Sequence, residues 1–406
     1  MASISIIIPI FNQLELAKQC LSSVLNAKVE SRFKVICIDD ASTDGIVADA
    51  FREYLSDDRV SIWRNNSNVG FTQTANRGLQ ALPATHPLLL NSDTVVYDHW
   101  LDVMIEALES DVQVCSVNPV TNQNGSHISC YPRAKWGEVH RLPISDRKLA
   151  EIAFEEARSI FVPVHTNVGF CMLINRRSIH EIGFLDCEHF PRGYGEESDF
   201  CYRARKLGWR HLVAGGVFVT HLHGKSFGDE KATLREQMLP IFRRLHPDQT
   251  TMDAAFRTRD PLNELRQRLD FGRLKQLRGN NRMIRVVPLS AALLDAEPVL
   301  ALDPTENTDG ALRFAGSWSD TFPNLPSYRL PNDLERLALD LKYLGYQRVI
   351  FDEAGAVFNE IKKYDQHWRS EIVSFADCAA YFEICRAAEN NSRYSPDKEF
   401  DDQVVQ

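Results

Sequence analysis

Residues 87–96 read PLLLNSDTVV, an apolar run of strand character that stops at Asn91-Ser92-Asp93-Thr94. Polar groups at the end of a buried strand need partners, supplied by the protein or by a ligand. The same pattern occurs twice upstream. Ile4 to Ile10 is rich in β-branched residues, carries Pro9 near its end and is followed by Phe11-Asn12. Phe33 to Ile38 closes in Asp39-Asp40-Ala41-Ser42-Thr43-Asp44-Gly45. Between these runs, Leu14 to Leu25 and Phe71 to Leu82 place apolar residues at helical spacing. A helix through Phe51 and Leu55 and a short strand from Val60 to Trp63 complete the series. Strands alternating with helices predict an α/β fold with a mostly parallel sheet covered on both faces. In such sheets ligands bind beyond the carboxyl ends of the strands. The three polar clusters are therefore expected along one edge.

The length of 406 residues predicts two or three domains. Residues 1–250 carry the alternating pattern and the chemistry described next. Residues 251–282 read as a helical linker, with Leu262, Leu265, Leu269, Leu274 and Leu277 on one side and arginines elsewhere. Strand-like IRVVPL and VLALD, the helix pattern DLERLALDLKYLG and the strand RVIF form a smaller α/β unit over 283–390. Residues 391–406 read as a flexible polar tail. A net charge of −9 argues against nucleic-acid binding. No apolar run approaches the ~20 residues that span a bilayer. MASISIIIPIFN has no basic segment before its apolar stretch, so it is expected to be a first buried strand rather than a secretory signal. Nine cysteines without a CxxC pair favour a reducing, cytoplasmic setting.

Four constellations carry chemistry. In IDDASTDG, Asp39 and Asp40 suit acceptance of nucleobase N–H groups, or else belong to a turn that Ser42 or Asp44 caps. In NSD, Asp93 suits a hard divalent cation, with Asn91 a neutral support, or else closes an ordinary loop. GYGEESDF puts Glu196, Glu197 and Asp199 at the start of a helix. The helix dipole accounts for one or two of these acids, and a general base is the other use. In VTHLHGKSFG, His221 and His223 lie two apart on an extended segment and suit a metal or phosphate, with Lys225 following.

The order of these motifs resembles the family 2 glycosyltransferases of the GT-A fold, over roughly Ser3 to Pro247. SIIIPIFN at 5–12, IDDASTDG at 38–45, NVGFTQTANRG at 68–78, LLLNSD at 88–93, NVGFCMLINR at 167–176 and GYGEESDF at 193–200 carry the likeness. Within the family it is most similar to rhamnosyltransferase-like enzymes of bacterial O-antigen or capsule assembly. The resemblance implies a Rossmann-like sheet, a nucleotide-diphosphate-sugar donor such as dTDP-rhamnose or a UDP-hexose, and inversion at the anomeric carbon. The acceptor would be a hydroxyl of a growing polysaccharide or lipid-linked glycan. Asp40 would contact the base and Asp39 support the same turn. Pro9, Phe11, Asn12, Asn68, Gly70, Asn91, Ser92 and Lys225 would line the donor site. Asp93 would hold Mn²⁺ or Mg²⁺, with His221 and His223 assisting. Asn91 replaces the first Asp of the family's DxD motif, which implies a cation requirement that is weak or dispensable. Glu197 stands where the family has its catalytic base, usually Asp, within the acid cluster of Glu196 and Asp199. The 283–390 unit is faintly similar to the opening of a GT-B glycosyltransferase.

Rival classes fit less well. A sugar nucleotidyltransferase needs a Gly-rich basic loop after the first strand, and a nicotinamide dehydrogenase needs GxGxxG there; PIFNQLEL has neither. A catalytically inactive sugar-nucleotide-binding or scaffold protein is the alternative from another class. The arginine-rich segment from Arg257 to Arg282 reads as a solvated face, or as a surface for peripheral contact with anionic lipid.

Overall fold

The computed structural model describes residues 4–44, 47–81, 85–122, 128–130, 144–222, 230–288, 298–303, 311–316, 324–329, 332–351 and 372–374. His223 and Lys225 lie outside these residues, as does the tail. Two compact units divide the chain, residues 1–140 with 144–265 and residues 141–143 with 266–406.

The first unit opens with β1 (Ile4–Ile10), α1 (Leu14–Asn26), β2 (Phe33–Asp39), α2 (Val47–Ala50), β3 (Val60–Arg64), α3 (Phe71–Ala81) and β4 (His86–Leu90). Instead of a helix through Phe51 and Leu55, a 3-10 turn covers Arg52–Ser56. Then come β5 (Thr94–Val95), α4 (Trp100–Glu109), β6 (Val114–Thr121), α5 (Asp146–Ala157), β7 (Phe161–Val164), β8 (Cys171–Ile174) and α6 (Arg176–Ile182). The unit finishes with α7 (Glu196–Lys206), β9 (Arg210–His221), α8 (Glu230–Leu245) and α9 (Gln249–Arg259), and α10 (Asn263–Arg278) begins in it. The strands lie in the order β3-β2-β1-β4-β8-β6-β9-β5, with β7 on β9. β1 pairs in parallel with β2 and β4, β2 with β3, and β6 with β9. β8 runs antiparallel between β4 and β6.

β1 is apolar at nearly every position because both faces of a parallel sheet are covered. α1 buries Ala17, Cys20, Leu21 and Val24, the i, i+3, i+4, i+7 stripe of an amphipathic helix. The carboxyl ends of β1, β2 and β4 reach one edge, as their parallel register requires. There they deliver Asn12, Asp39-Asp40 and Asn91-Asp93. No disulfide joins the described cysteines.

The second unit holds β10 (Met283–Pro288), β11 (Val299–Asp303), β12 (Ala311–Ala315), β13 (Ser327–Arg329), α11 (Leu334–Tyr343), β14 (Arg348–Phe351) and β15 (Ile372–Ser374). Its sheet runs β13-β12-β11-β10-β14-β15, parallel only where β10 meets β11 and β14. The arginines of α10 are not all solvated. Arg266 and Arg273 are buried, and Arg273 donates to Asp270 at 2.8 Å while Asn324 donates to the same carboxylate at 3.0 Å. Leu277, expected on the apolar side, is exposed. Among the described residues no helix is long and apolar enough to cross a membrane.

Candidate active site

The first strand end and the acidic turn hold each other. Asn12 adopts a left-handed conformation; its N–H donates to Ser42 Oγ at 2.9 Å, and its Oδ1 accepts from Thr43 N at 2.8 Å. Asp39 is buried, pairs with Arg64 and accepts from Ser42 N at 2.8 Å. Asp40, also buried, accepts from Asn65 Nδ2 at 2.7 Å and from the N–H groups of Val69 and Gly70, each at 2.9 Å. Both aspartates thus organise their surroundings, Asp40 by pinning the Asn-Val-Gly turn. Pro9 sits inside β1 opposite Ile38. Phe11 is half-buried and Asn68 is exposed.

That pinned turn reaches the acid cluster. Gly70 has φ +86°, and a Cβ there would stand 2.5 Å from the Pro191 carbonyl oxygen, so only glycine allows the approach. One face of α3 then grips the segment leading to Glu196. Thr72 Oγ1 donates to the Phe190 carbonyl. Asn76 donates to the Leu185 carbonyl at 2.8 Å and accepts from Leu185 N at 3.1 Å. Thr72 and Asn76 are four apart, so they share a helix face.

At the end of β4, the Asn91 N–H donates to the Phe170 carbonyl at 2.7 Å, and Thr94 Oγ1 donates to the Asn91 carbonyl at 2.8 Å. The Asn91 and Ser92 side chains are half-buried. β5 pairs antiparallel with the end of β9, setting Thr94 opposite His221. His221 Nε2 lies 3.1 Å from Asp93 Oδ1. The imidazole stacks on Phe170 at 5.4 Å between ring centres, and Asn122 Oδ1 accepts the His221 N–H at 2.8 Å.

Glu196 and Glu197 open α7. Gly195 precedes them at φ +145°, and a Cβ there would meet the Phe190 ring at 2.7 Å. Glu196 is 4% exposed, and its Oε2 accepts from Gly195 N at 3.1 Å. Burial raises its carboxyl well above the ordinary range, and the charge of Glu197 adds to the rise. Burial also raises Glu197, against hydrogen bonds that include one from Glu196. Glu197 Oε2 is buried and makes no hydrogen bond among the described residues. Tyr194 has φ +64°. Burial and the negative charges of Glu196, Glu197 and Asp93 push its phenol up to about 12. It therefore keeps its proton at neutral pH. Asp199 turns elsewhere: Arg203 Nε donates to it at 2.7 Å and His246 Nε2 lies at 2.9 Å, which ties α7 to the end of α8.

Several residues at the site escaped the sequence reading. Asn118, buried in β6, accepts from Val168 N at 2.6 Å and donates to the Val168 carbonyl at 2.9 Å. It fixes the loop whose Gly169 faces Glu197. A polar amide inside the apolar run VCSVNPV was the available signal. Tyr194, Thr72, Asn76, Phe170 and Asn122 joined only through long-range contacts. Among the described residues no three His, Cys, Asp or Glu side chains gather as a metal cluster.

Residues 5–183 match the family model "Glycosyl transferase family 2". This part of the chain is similar to that family. The match ends before Glu196. An uncharacterized glycosyltransferase of Haemophilus influenzae is 22% identical over 226 residues, 54% of this chain and 66% of that protein. Glycosyltransferase GlyG of Streptococcus pneumoniae serotype 4 is 30% identical over 112 residues, 27% of this chain and 35% of that protein. The matched part thus spans less than two thirds of either relative. Among solved structures, GalNAc-T7 with UDP, GalNAc and Mn²⁺ overlaps 54% of this chain and 44% of its own, at TM-score 0.44 and 17% identity. The mannosyltransferase PcManGT of Pyrobaculum calidifontis, solved with GDP-Man and Mn²⁺, overlaps 59% and 64% at TM-score 0.43 and 16% identity. Neither overlap carries a residue role to this chain.

Proposed function

We propose that this chain is an inverting glycosyltransferase. It moves a sugar from a nucleotide-diphosphate donor, dTDP-rhamnose or a UDP-hexose, to a hydroxyl of a growing bacterial polysaccharide or lipid-linked glycan. The observation that carries this reading is Glu197 Oε2, a buried carboxylate oxygen without a hydrogen-bond donor among the described residues. Such an atom is costly unless a bound group satisfies it. An acceptor hydroxyl is the group a general base requires.

The acceptor oxygen attacks the anomeric carbon from the face opposite the diphosphate. Its proton passes to Glu197, the new C–O bond forms, and the bond to the diphosphate breaks with its electron pair leaving on phosphate oxygen. Glu197 serves as acid acceptor only, so no covalent enzyme intermediate arises.

Asp93 and His221 suit a divalent cation: one carboxylate oxygen and one imidazole nitrogen lie 3.1 Å apart, and magnesium-like sites commonly take one or two carboxylates plus substrate phosphates. When bound there, the cation would neutralise charge developing on the diphosphate. Asn91 leaves the pair one carboxylate short of two, consistent with a weak requirement. Exposed arginines of the 257–282 segment would make peripheral contact with anionic lipid.

A panel of UDP-, dTDP- and GDP-sugars, with Mn²⁺ or EDTA, followed by thermal shift and slow donor hydrolysis, tests the reading. One stabilising and hydrolysed donor supports it. Binding without any turnover, in the presence of a glycan acceptor as well, would favour an inactive sugar-nucleotide-binding protein.

A further inference from the structure

The second unit brings two arginines to one point. α11 ends in a tight reversal, in which the Gly345 N–H donates to the Lys342 carbonyl and the Tyr346 N–H to the Leu341 carbonyl, each at 2.9 Å. Gly345 has φ +79°, the left-handed residue that such a helix end takes. The chain then enters β14, which runs parallel to β10, and the Gln347 N–H donates to the Arg282 carbonyl at 2.7 Å. The last turn of α10 supplies Arg278, whose guanidinium lies 5.7 Å from the centre of the buried Tyr346 ring. A Cβ on Gly345 would stand 2.9 Å from Arg282 Nη1 and 3.4 Å from Arg278 Nη2. The two guanidiniums therefore converge on the glycine, and its missing side chain leaves them room.

Helix ends account for part of this arrangement. Arg278 Nη1 donates to the Asn281 carbonyl at 2.6 Å and Arg282 Nη1 to the Gly345 carbonyl at 3.3 Å, as cations near helix C-termini do. Each of these contacts uses a single nitrogen. Arg278 Nε is buried and meets no acceptor among the described residues. Other arginines of the unit have an acid: Arg273 lies 2.8 Å from Asp270 and Arg336 3.9 Å from Asp340. Among the described residues no carboxylate pairs with Arg278 or Arg282. Burial, and then the charge of Arg282, hold the Arg278 guanidinium below its ordinary range. Like charges this close repel, and an anion between them reverses the sign of the interaction.

We propose that Arg278 and Arg282, with Tyr346 behind the first and Gly345 leaving space between them, form a binding site for a phosphate group. Guanidinium forks match phosphate oxygens in pairs, and a phosphate offers oxygens to both arginines at once. Arg282 is exposed and Arg278 half-buried, so the site opens to solvent. It lies wholly within the second unit and does not rest on the transferase reading. The phosphate belongs to a free phosphate compound or to a phospholipid head, and the chemistry at the arginines is the same for both.

Calorimetric titration of the full chain with inorganic phosphate, in EDTA and at constant ionic strength, reads the site. The wild type should bind, and Arg278→Gln and Arg282→Gln should each weaken binding by at least about 10-fold, the loss expected of charge-assisted hydrogen bonds. Arg282→Lys keeps the charge without the fork and should weaken binding too. Asp93→Asn, altered at the proposed cation site, should bind phosphate as the wild type does. Arg282 is exposed, so its two variants read the site even where Arg278→Gln does not fold.

Co-sedimentation separates the sources, with phosphatidylcholine vesicles carrying either phosphatidic acid or phosphatidylglycerol. Arginine-dependent sedimentation that favours phosphatidic acid, whose head is a phosphate monoester, supports the site with a lipid source. Arginine-dependent binding of free phosphate without vesicle contact supports it with a soluble one. Equal phosphate affinity in the wild type and both Arg282 variants would overturn the site, as would no phosphate binding on either arm. Vesicle contact that survives in those variants, beside unchanged phosphate affinity, would likewise overturn it and leave peripheral contact to other arginines of the segment.

Discussion

His221 Nε2 stands 3.1 Å from Asp93 Oδ1, although 128 residues separate them in sequence. The pairing of β5 with the last residues of β9 brings them together, and Phe170 backs the imidazole. The strand pairing thus sets an imidazole beside the one acid of the motif.

From this pair follows a metal prediction. Asp93→Asn should weaken Mn²⁺ binding in the presence of UDP or dTDP by at least about 10-fold, and His221→Leu by a similar or smaller factor. Calorimetric titration of Mn²⁺ reads both. Unchanged affinity in Asp93→Asn would move the cation elsewhere.

Asn76 is expected to matter to activity without touching substrate. Asn76→Ala leaves the buried Leu185 N–H and carbonyl without their partners. The loss should be about 1–3 kcal/mol in stability, read by chemical denaturation, with turnover falling further than folded fraction because the segment before Glu196 loosens.

Gly70→Ala should be more severe. Its φ of +86° and the Pro191 carbonyl 2.5 Å from the new methyl group leave no unstrained arrangement. A cost of about 1–3 kcal/mol is expected, with a lower melting temperature and weaker donor binding by thermal shift, since the same turn is tied to Asp40.

The pH dependence of stability should carry a histidine signature. His211 is fully buried, with Nδ1 2.7 Å from Ser116 Oγ and Nε2 3.1 Å from the Cys201 carbonyl. Nε2 must then donate, and Nδ1 accepts from the serine hydroxyl. Burial lowers this imidazole from 6.5 to about 4. The unfolded chain therefore takes up the proton first as pH falls. The stabilisation is intact above about pH 6.5 and is lost progressively towards pH 4, by about 3 kcal/mol in total. Urea unfolding at stepped pH should show this slope in the wild type and a shallower one in His211→Gln.

The sheet and its polar edge are legible in the sequence because both are local. Apolar runs ending in Asn12, Asp39-Asp40 and Asn91-Asp93 declare strand ends without knowledge of what lies beside them. What Asp40 does was not legible, since its partners Val69 and Gly70 lie 29 and 30 residues away. Its oxygens accept from the backbone of the turn that approaches Pro191. Asn118 hid within an apolar strand pattern. Arg266 and Arg273 read as surface charges, yet both are buried, and Asp270, which pairs with Arg273, also accepts from Asn324, distant in sequence. Thr72 and Asn76 were visible in principle as polar residues at i and i+4 on a helix that otherwise buries its face.

The most direct measurement compares the wild-type chain with Glu197→Gln against the donor of the UDP-, dTDP- and GDP-sugar panel that the wild type turns over. Donor binding is followed by thermal shift and transfer or hydrolysis by product release. The account predicts an unchanged thermal shift with turnover reduced by at least about 100-fold. Turnover by Glu197→Gln at the wild-type rate would contradict it.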